Sequence, residues 1–109
     1  FFVQSGRGPT RYDGLRPIIS APAVNVSCIN QNGDADIITG TSGATAISTG
    51  CSALILEWAI VKQNSPAAIN TLSVIGYFIS GAVRNTNELY PNNLWGFGKL
   101  NILNTFENM

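Results

Sequence analysis

Histidine is absent from these 109 residues. Its absence excludes histidine-ligated zinc and excludes a histidine general base supplied by this chain. Charge is scarce as well: 11% of residues are charged, against roughly 25% in an ordinary soluble domain. With 45% hydrophobic residues, much of the segment is expected to be covered, including faces that a free-standing domain would leave wet. The same balance excludes disorder. Net charge is zero, so nothing in the composition points to nucleic acid or an anionic membrane as a partner. Two cysteines, Cys28 and Cys51, are too few for a disulfide scaffold and match no metal spacing, so both read as small buried hydrophobes. No cofactor is expected, and no carboxylate cluster supports a metal site. No run reaches the ~18 consecutive apolar residues of a membrane span, so none is expected. The start, Phe1 to Ser5, has no basic n-region or cleavage site and is not a signal peptide; it lacks an initiator Met, which implies upstream sequence.

The pattern along the chain is that of a mixed α/β segment. Residues 1–4 are apolar enough for a short strand, and the Gly- and Pro-rich stretch Ser5 to Thr10 ends it. Loop continues from Arg11 to Arg16. Pro17 to Ser20 and Val24 to Ile29 read as extended runs around Pro22, Asn30 to Gly33 as a turn, and Ile37-Ile38-Thr39 as a β-branched run. Gly40-Thr41-Ser42-Gly43 reads as the start of a helix that runs over Ala44 to Val61. Its apolar positions, Ile47, Cys51, Leu54, Ile55, Trp58 and Val61, recur at steps of three and four, and few polar residues face them, so burial on most sides is expected. Ser65-Pro66 has the form of a second helix start, with Ile69, Leu72, Ile75, Ile79 and Val83 on its apolar face. Asn85 to Asn93 is a polar loop. Leu94 to Leu100 is a turn into a last helix over Ile102 to Phe106.

One position carries chemistry. A serine becomes a useful nucleophile only when a base takes its proton and donors hold the oxyanion. A helix N-terminus serves the second need, because its free N–H groups and its dipole both favour negative charge. Ser42 stands there among the small residues Gly40, Gly43 and Ala44, which let a substrate backbone approach. On geometry alone, a Thr-Ser pair at a helix start is more often an ordinary cap.

Four segments in order change that weight. Gly40-Thr41-Ser42-Gly43-Ala44-Thr45-Ala46 resembles the nucleophile motif of the subtilisin-like serine proteases, Gly-Thr-Ser-x-Ala-x-Pro. Ser5 to Thr10 resembles the loop ahead of that family's Lys/Arg-Pro-Asp element. Arg16 to Val26 resembles that element and its Ala-Pro-Gly turn. Trp95-Gly96-Phe97-Gly98-Lys99-Leu100-Asn101 resembles its closing Gly-x-Gly motif. Leu56 to Val61, Tyr77 to Arg84 and Tyr90 to Gly96 are similar to the clostridial germination-protease branch, the Csp type. That branch includes active proteases that process a spore-cortex lytic enzyme and pseudoproteases in germinant signalling.

The resemblance implies that residues 1–109 are the C-terminal portion of a catalytic domain with a three-layer α/β fold and a largely parallel sheet. It implies Ser42 as nucleophile, with Thr41 and Gly40 beside the substrate. Peptide or protein substrates are implied, as is a secreted or spore-associated location. The sequence departs from the pattern at Ala46 (Pro), Ile47 (His), Ile18 (Asp) and Ala23 (Gly), changes of the kind found in inactive copies, although none removes the nucleophile and active divergent members tolerate such changes too. Subtilases order their triad Asp, His, Ser, and Asp34 and Asp36 lie too close to Ser42 to be that aspartate. They read as solvated turn residues, as do Asn30 and Asn32. The rest of the domain, as the same polypeptide or a cleaved partner, is therefore an implied partner. In subtilisin itself, loss of the serine or the histidine costs roughly 10⁶ in turnover. The isolated 109 residues are accordingly expected to show no amidase activity, and a fluorophosphonate probe is expected to leave their Ser42 unlabelled by mass spectrometry.

Overall fold

The computed structural model describes residues 2–64, 67 and 69–109. Strand β1 (Val26–Ile29) pairs antiparallel with β2 (Ala35–Ile38), Val26 opposite Ile38 and Ile29 opposite Ala35. The turn between them is built by Asn30, whose Oδ1 accepts from the backbone N–H groups of Asn32 at 2.9 Å and Asp34 at 3.0 Å, a local arrangement that short amide side chains favour. β1 starts at Val26 rather than Val24 because Asn25 is left-handed, with φ 52°, which interrupts an extended run. Residues 3 and 4 form a turn instead of the expected strand.

Helix α1 (Thr41–Leu56) begins directly after Gly40 and passes without a break into a π-helical stretch, Glu57–Lys62, where the Gln63 N–H reaches back to the Trp58 carbonyl at 3.0 Å. The helix expected over Ala44 to Val61 is thus present, longer at both ends. As one 22-residue unit, Thr41–Lys62 is long and apolar enough to cross a membrane, where the sequence alone suggested no span. Length and composition do not separate such a span from the central helix of an α/β domain.

Helix α2 (Thr71–Gly81) starts later than its apolar pattern suggests. Asn70 caps it: its side chain accepts from the Ser73 N–H at 3.0 Å, and the Ser73 hydroxyl accepts from the Asn70 N–H at 2.7 Å. This reciprocal box satisfies two free donors and fixes the start five residues beyond Ser65. The Ser65-Pro66 signal lies outside the described residues. Ile69 and Val83 fall outside the helix. Helix α3 (Ile102–Glu107) is capped by Asn101, which accepts from the Asn104 N–H at 3.1 Å.

The helices meet around Trp58, which stands edge-on to Tyr77 and to Phe106, each with ring centroids 6.4 Å away. Ile55, Ala59, Phe78, Ala82 and Thr105 are buried around this junction. Arg84 ties it to the closing loop, donating from Nε to the Phe97 carbonyl at 2.8 Å and from an Nη to the Ile79 carbonyl at 2.9 Å. The closing Gly-x-Gly segment packs backbone to backbone: a Cβ on Gly96 would meet the Pro17 and Ile18 carbonyls. There Ile19 bridges Gly96 and Ser20 bridges Lys99.

Among the described residues the fold class is therefore α/β, with a two-stranded antiparallel sheet and three α-helices, the first continued by the π-helical stretch. The largely parallel sheet that was expected is not formed by the described residues. Parallel strands need a crossover of a dozen residues or more, whereas β1 and β2 are joined by a tight turn; the Ser20–Lys99 bridge alone is parallel. The helix expected to be buried on most sides is also largely bare, with 11% of its most apolar stretch covered. The radius of gyration, 15.2 Å, exceeds the ~13 Å of a compact domain of this length.

α2 and α3 touch most closely at Gly81, where an added Cβ would overlap the Thr105 backbone. Backbone cannot move aside as a flexible side chain can, so Gly81→Ala is expected to cost about 3 kcal/mol, the upper part of the overpacking range. A lowered urea midpoint would report it.

Candidate active site

Ser42 is exposed in the first turn of α1, one residue after Thr41 and two after the capping Gly40. Amides in a helix's first turn have no carbonyl above them within the helix. The Thr41 and Ser42 N–H groups therefore face outward at the positive end of a long helix, which suits them to hold a developing oxyanion. Gly40 contributes no side-chain cap, so no side chain competes for those donors. Its φ of 152° and ψ of 160° lie in a region essentially reserved for glycine, and this conformation is what turns the chain from β2 into α1.

Three contacts set where the helix begins. The Gly40 N–H donates to the Ala23 carbonyl at 2.7 Å. The Asn25 N–H donates to the Thr39 hydroxyl at 3.0 Å. The hairpin lies on Gly43: a Cβ there would sit 3.4 Å from Ile38 Cδ1 and 3.6 Å from Val26 Cγ2. Gly43 is buried by this packing while its neighbour Ser42 stays open. The residues predicted to meet substrate, Gly40 and Thr41, line one hollow of about 370 Å³ together with Thr39, Phe2 and Gln4. Ser42 is at its edge in sequence but not part of its lining.

A second, wider groove of about 460 Å³ runs along α1 past Thr45, Ser48, Thr49 and Ser52. Each of these hydroxyls donates to the carbonyl one turn back, at 2.8–3.0 Å. Their donors are satisfied within the helix, so apolar cover on this face would leave none of those protons unpaired. Partial burial pushes the Cys51 thiol above its usual pKa, the direction that disfavours the thiolate. Asp34 closes the hairpin turn as expected, whereas Asp36 lies within β2 opposite Cys28 rather than in the turn; both are exposed, and Asp36 Oδ1 accepts from the Ile37 N–H at 2.7 Å. No group of metal-ligating side chains forms among the described residues. Thr39 is the site residue that motif reading missed, and Ala23 entered only as a departure from the turn motif, without its bond to Gly40. Thr39 read only as the end of a β-branched run, and its pairing with Asn25 spans a separation that no local pattern reveals.

Gly40→Ala is expected to lower the thermal midpoint, because the strained conformation costs about 1–3 kcal/mol. Gly50→Ala, within α1 and with open space at its Cβ, is expected to raise it through the better helix propensity of alanine. Calorimetry of the two variants side by side would show the opposite signs.

No protein-family model matches the chain, and no curated protein does. Among solved structures it is similar to the CspB protease of Clostridium perfringens, with a TM-score of 0.82 and 33% identity over 93% of this chain and 22% of that one. It is also similar to the prenylagaramide maturation protease PagA, with a TM-score of 0.65 and 30% identity over 83% of this chain and 32% of PagA. The chain thus spans under a third of either relative. Fold and residue identity agree with the four ordered motifs, and together they place this chain in the subtilisin-like protease family, on its Csp-type branch.

Proposed function

We propose that this chain is the nucleophile-bearing part of a subtilisin-like serine endopeptidase. The observation that carries the reading is the exposed Ser42 in the first turn of α1, behind a glycine cap and inside a matching fold. In this reading the Ser42 hydroxyl attacks the scissile carbonyl, and its own N–H helps to hold the oxyanion. Thr41 and Gly40 flank the substrate. The histidine base, its orienting aspartate and the oxyanion asparagine come from sequence outside these residues, since no histidine is present. The chain alone is then inactive.

The same reading accounts for the bare helix. The remainder of the domain would supply the parallel strands and the layers that cover α1, completing a three-layer sheet fold of which residues 1–109 are the C-terminal part. Parallel sheets are buried on both faces, and Leu54, Leu56, Ile60 and Val61 are exposed here. Peptide or protein substrates and a secreted or spore-associated setting follow from the resemblance. A second reading, a pseudoprotease acting as a binding or signalling module, is favoured by Ala23, Ala46 and Ile47 in place of the motif's usual residues. Fold does not separate the two.

In the full-length protein, Ser42→Ala is expected to lower peptide hydrolysis by roughly 10⁶, with circular dichroism and melting unchanged. Hydrolysis retained in that variant would reject Ser42 as the nucleophile. A wild-type protein that neither hydrolyses peptides nor reacts with a fluorophosphonate would favour the pseudoprotease.

A further inference from the structure

We propose that Thr39 is a positioning residue for Ser42, an inference that rests on reading Ser42 as the nucleophile. The backbone just ahead of Ser42 is gripped at two points by one short turn. The Ala23 carbonyl accepts the Gly40 N–H at 2.7 Å, and the Thr39 hydroxyl accepts the Asn25 N–H at 3.0 Å. Asn25 is left-handed, with φ 52°, a conformation uncommon for a residue other than glycine and held only by its surroundings. The Thr39 hydroxyl thus clamps the turn that presents the Ala23 carbonyl to Gly40.

The clamp matters because no side chain caps the helix start, where the Gly43 N–H donates to the Gly40 carbonyl at 3.0 Å. Gly40 gives α1 no side-chain cap, and glycine is the residue with the widest choice of backbone conformations. Ser42 lies two residues further on, so a rotation at Gly40 swings both its hydroxyl and its outward amide. Packing of Val26 and Ile38 on Gly43 limits movement from the far side. Thr39 and Asn25 are both exposed, so their bond adds little to global stability, while its effect on the direction of the chain is local. Thr39 also borders the hollow that Gly40 and Thr41 line, and so acts through the backbone next to the site.

The test uses the full-length protein with Thr39→Val, which keeps the branched shape and removes the acceptor, and Thr39→Ser, which restores it. In Thr39→Val, kcat is expected to fall about tenfold with KM within about twofold, short of the ~10²-fold that a 1 Å misplacement can cost. Amide exchange at Gly40 is expected to quicken, with the thermal midpoint nearly unchanged. Thr39→Ser is expected to return both towards wild type. The proposal is overturned by unchanged kcat and Gly40 exchange in Thr39→Val, by a loss that merely follows a lower melting point, or by no recovery in Thr39→Ser. Wild-type protein without hydrolysis or fluorophosphonate labelling would remove the nucleophile reading. Gly40 exchange then decides alone whether Thr39 holds this segment, and unchanged exchange overturns it.

Discussion

A helix that starts at an exposed serine, the proposed nucleophile, and then runs on as an apolar rod has to satisfy two opposite demands. Its first turn must stay open, because the amides of Thr41 and Ser42 are useful only if a ligand can reach them. Its body must be covered, because Leu54, Leu56, Ile60 and Val61 present apolar surface to water. The fold meets the first demand with glycines. Gly40 turns the chain without a capping side chain, and Gly43 lets the β1–β2 hairpin press onto the helix one residue past the serine. The second demand is met only in part. The aromatic junction of Trp58, Tyr77 and Phe106 secures one side of the far end of the helix against α2 and α3, while Leu54, Leu56, Ile60 and Val61 around it remain exposed.

The hydroxyl stripe along α1 belongs to the same problem. Thr45, Ser48, Thr49 and Ser52 would be costly beneath an apolar cover if their protons had no acceptor. Each instead donates to the carbonyl one turn back. A helix built this way keeps small side chains that admit a close neighbour. The π-helical stretch at Glu57–Lys62 then alters the winding where Trp58 must face both other helices.

Legibility in the sequence followed the range of the interactions. The hairpin turn and the last helix are set by contacts between residues a few positions apart, and their sequences announced them; the start of α1 was announced by the Gly40-Thr41-Ser42-Gly43 motif, although distant contacts hold it. α2 shows where local reading misled. Its apolar steps from Ile69 to Val83 suggested a longer helix, but the box between Asn70 and Ser73 fixes the start and Ala82 leaves helical geometry at the other end. Residues 1–4 read as strand from apolarity alone; among the described residues, 2–4 meet no strand partner, and residues 3 and 4 turn instead. Predicted burial of α1 failed for a related reason. The periodicity records that a cover is needed and does not say that this chain provides it.

By itself the sequence determined the position of Ser42 and the residues around it, because four short motifs in order identify a family and glycines dictate local backbone. It also determined that no histidine base resides here. Tertiary structure alone decided what holds the serine in place. The Ala23–Gly40 and Asn25–Thr39 bonds join segments more than a dozen residues apart, and the hairpin reaches Gly43 across space. Such contacts depend on how the chain returns on itself, and a linear pattern does not record that path.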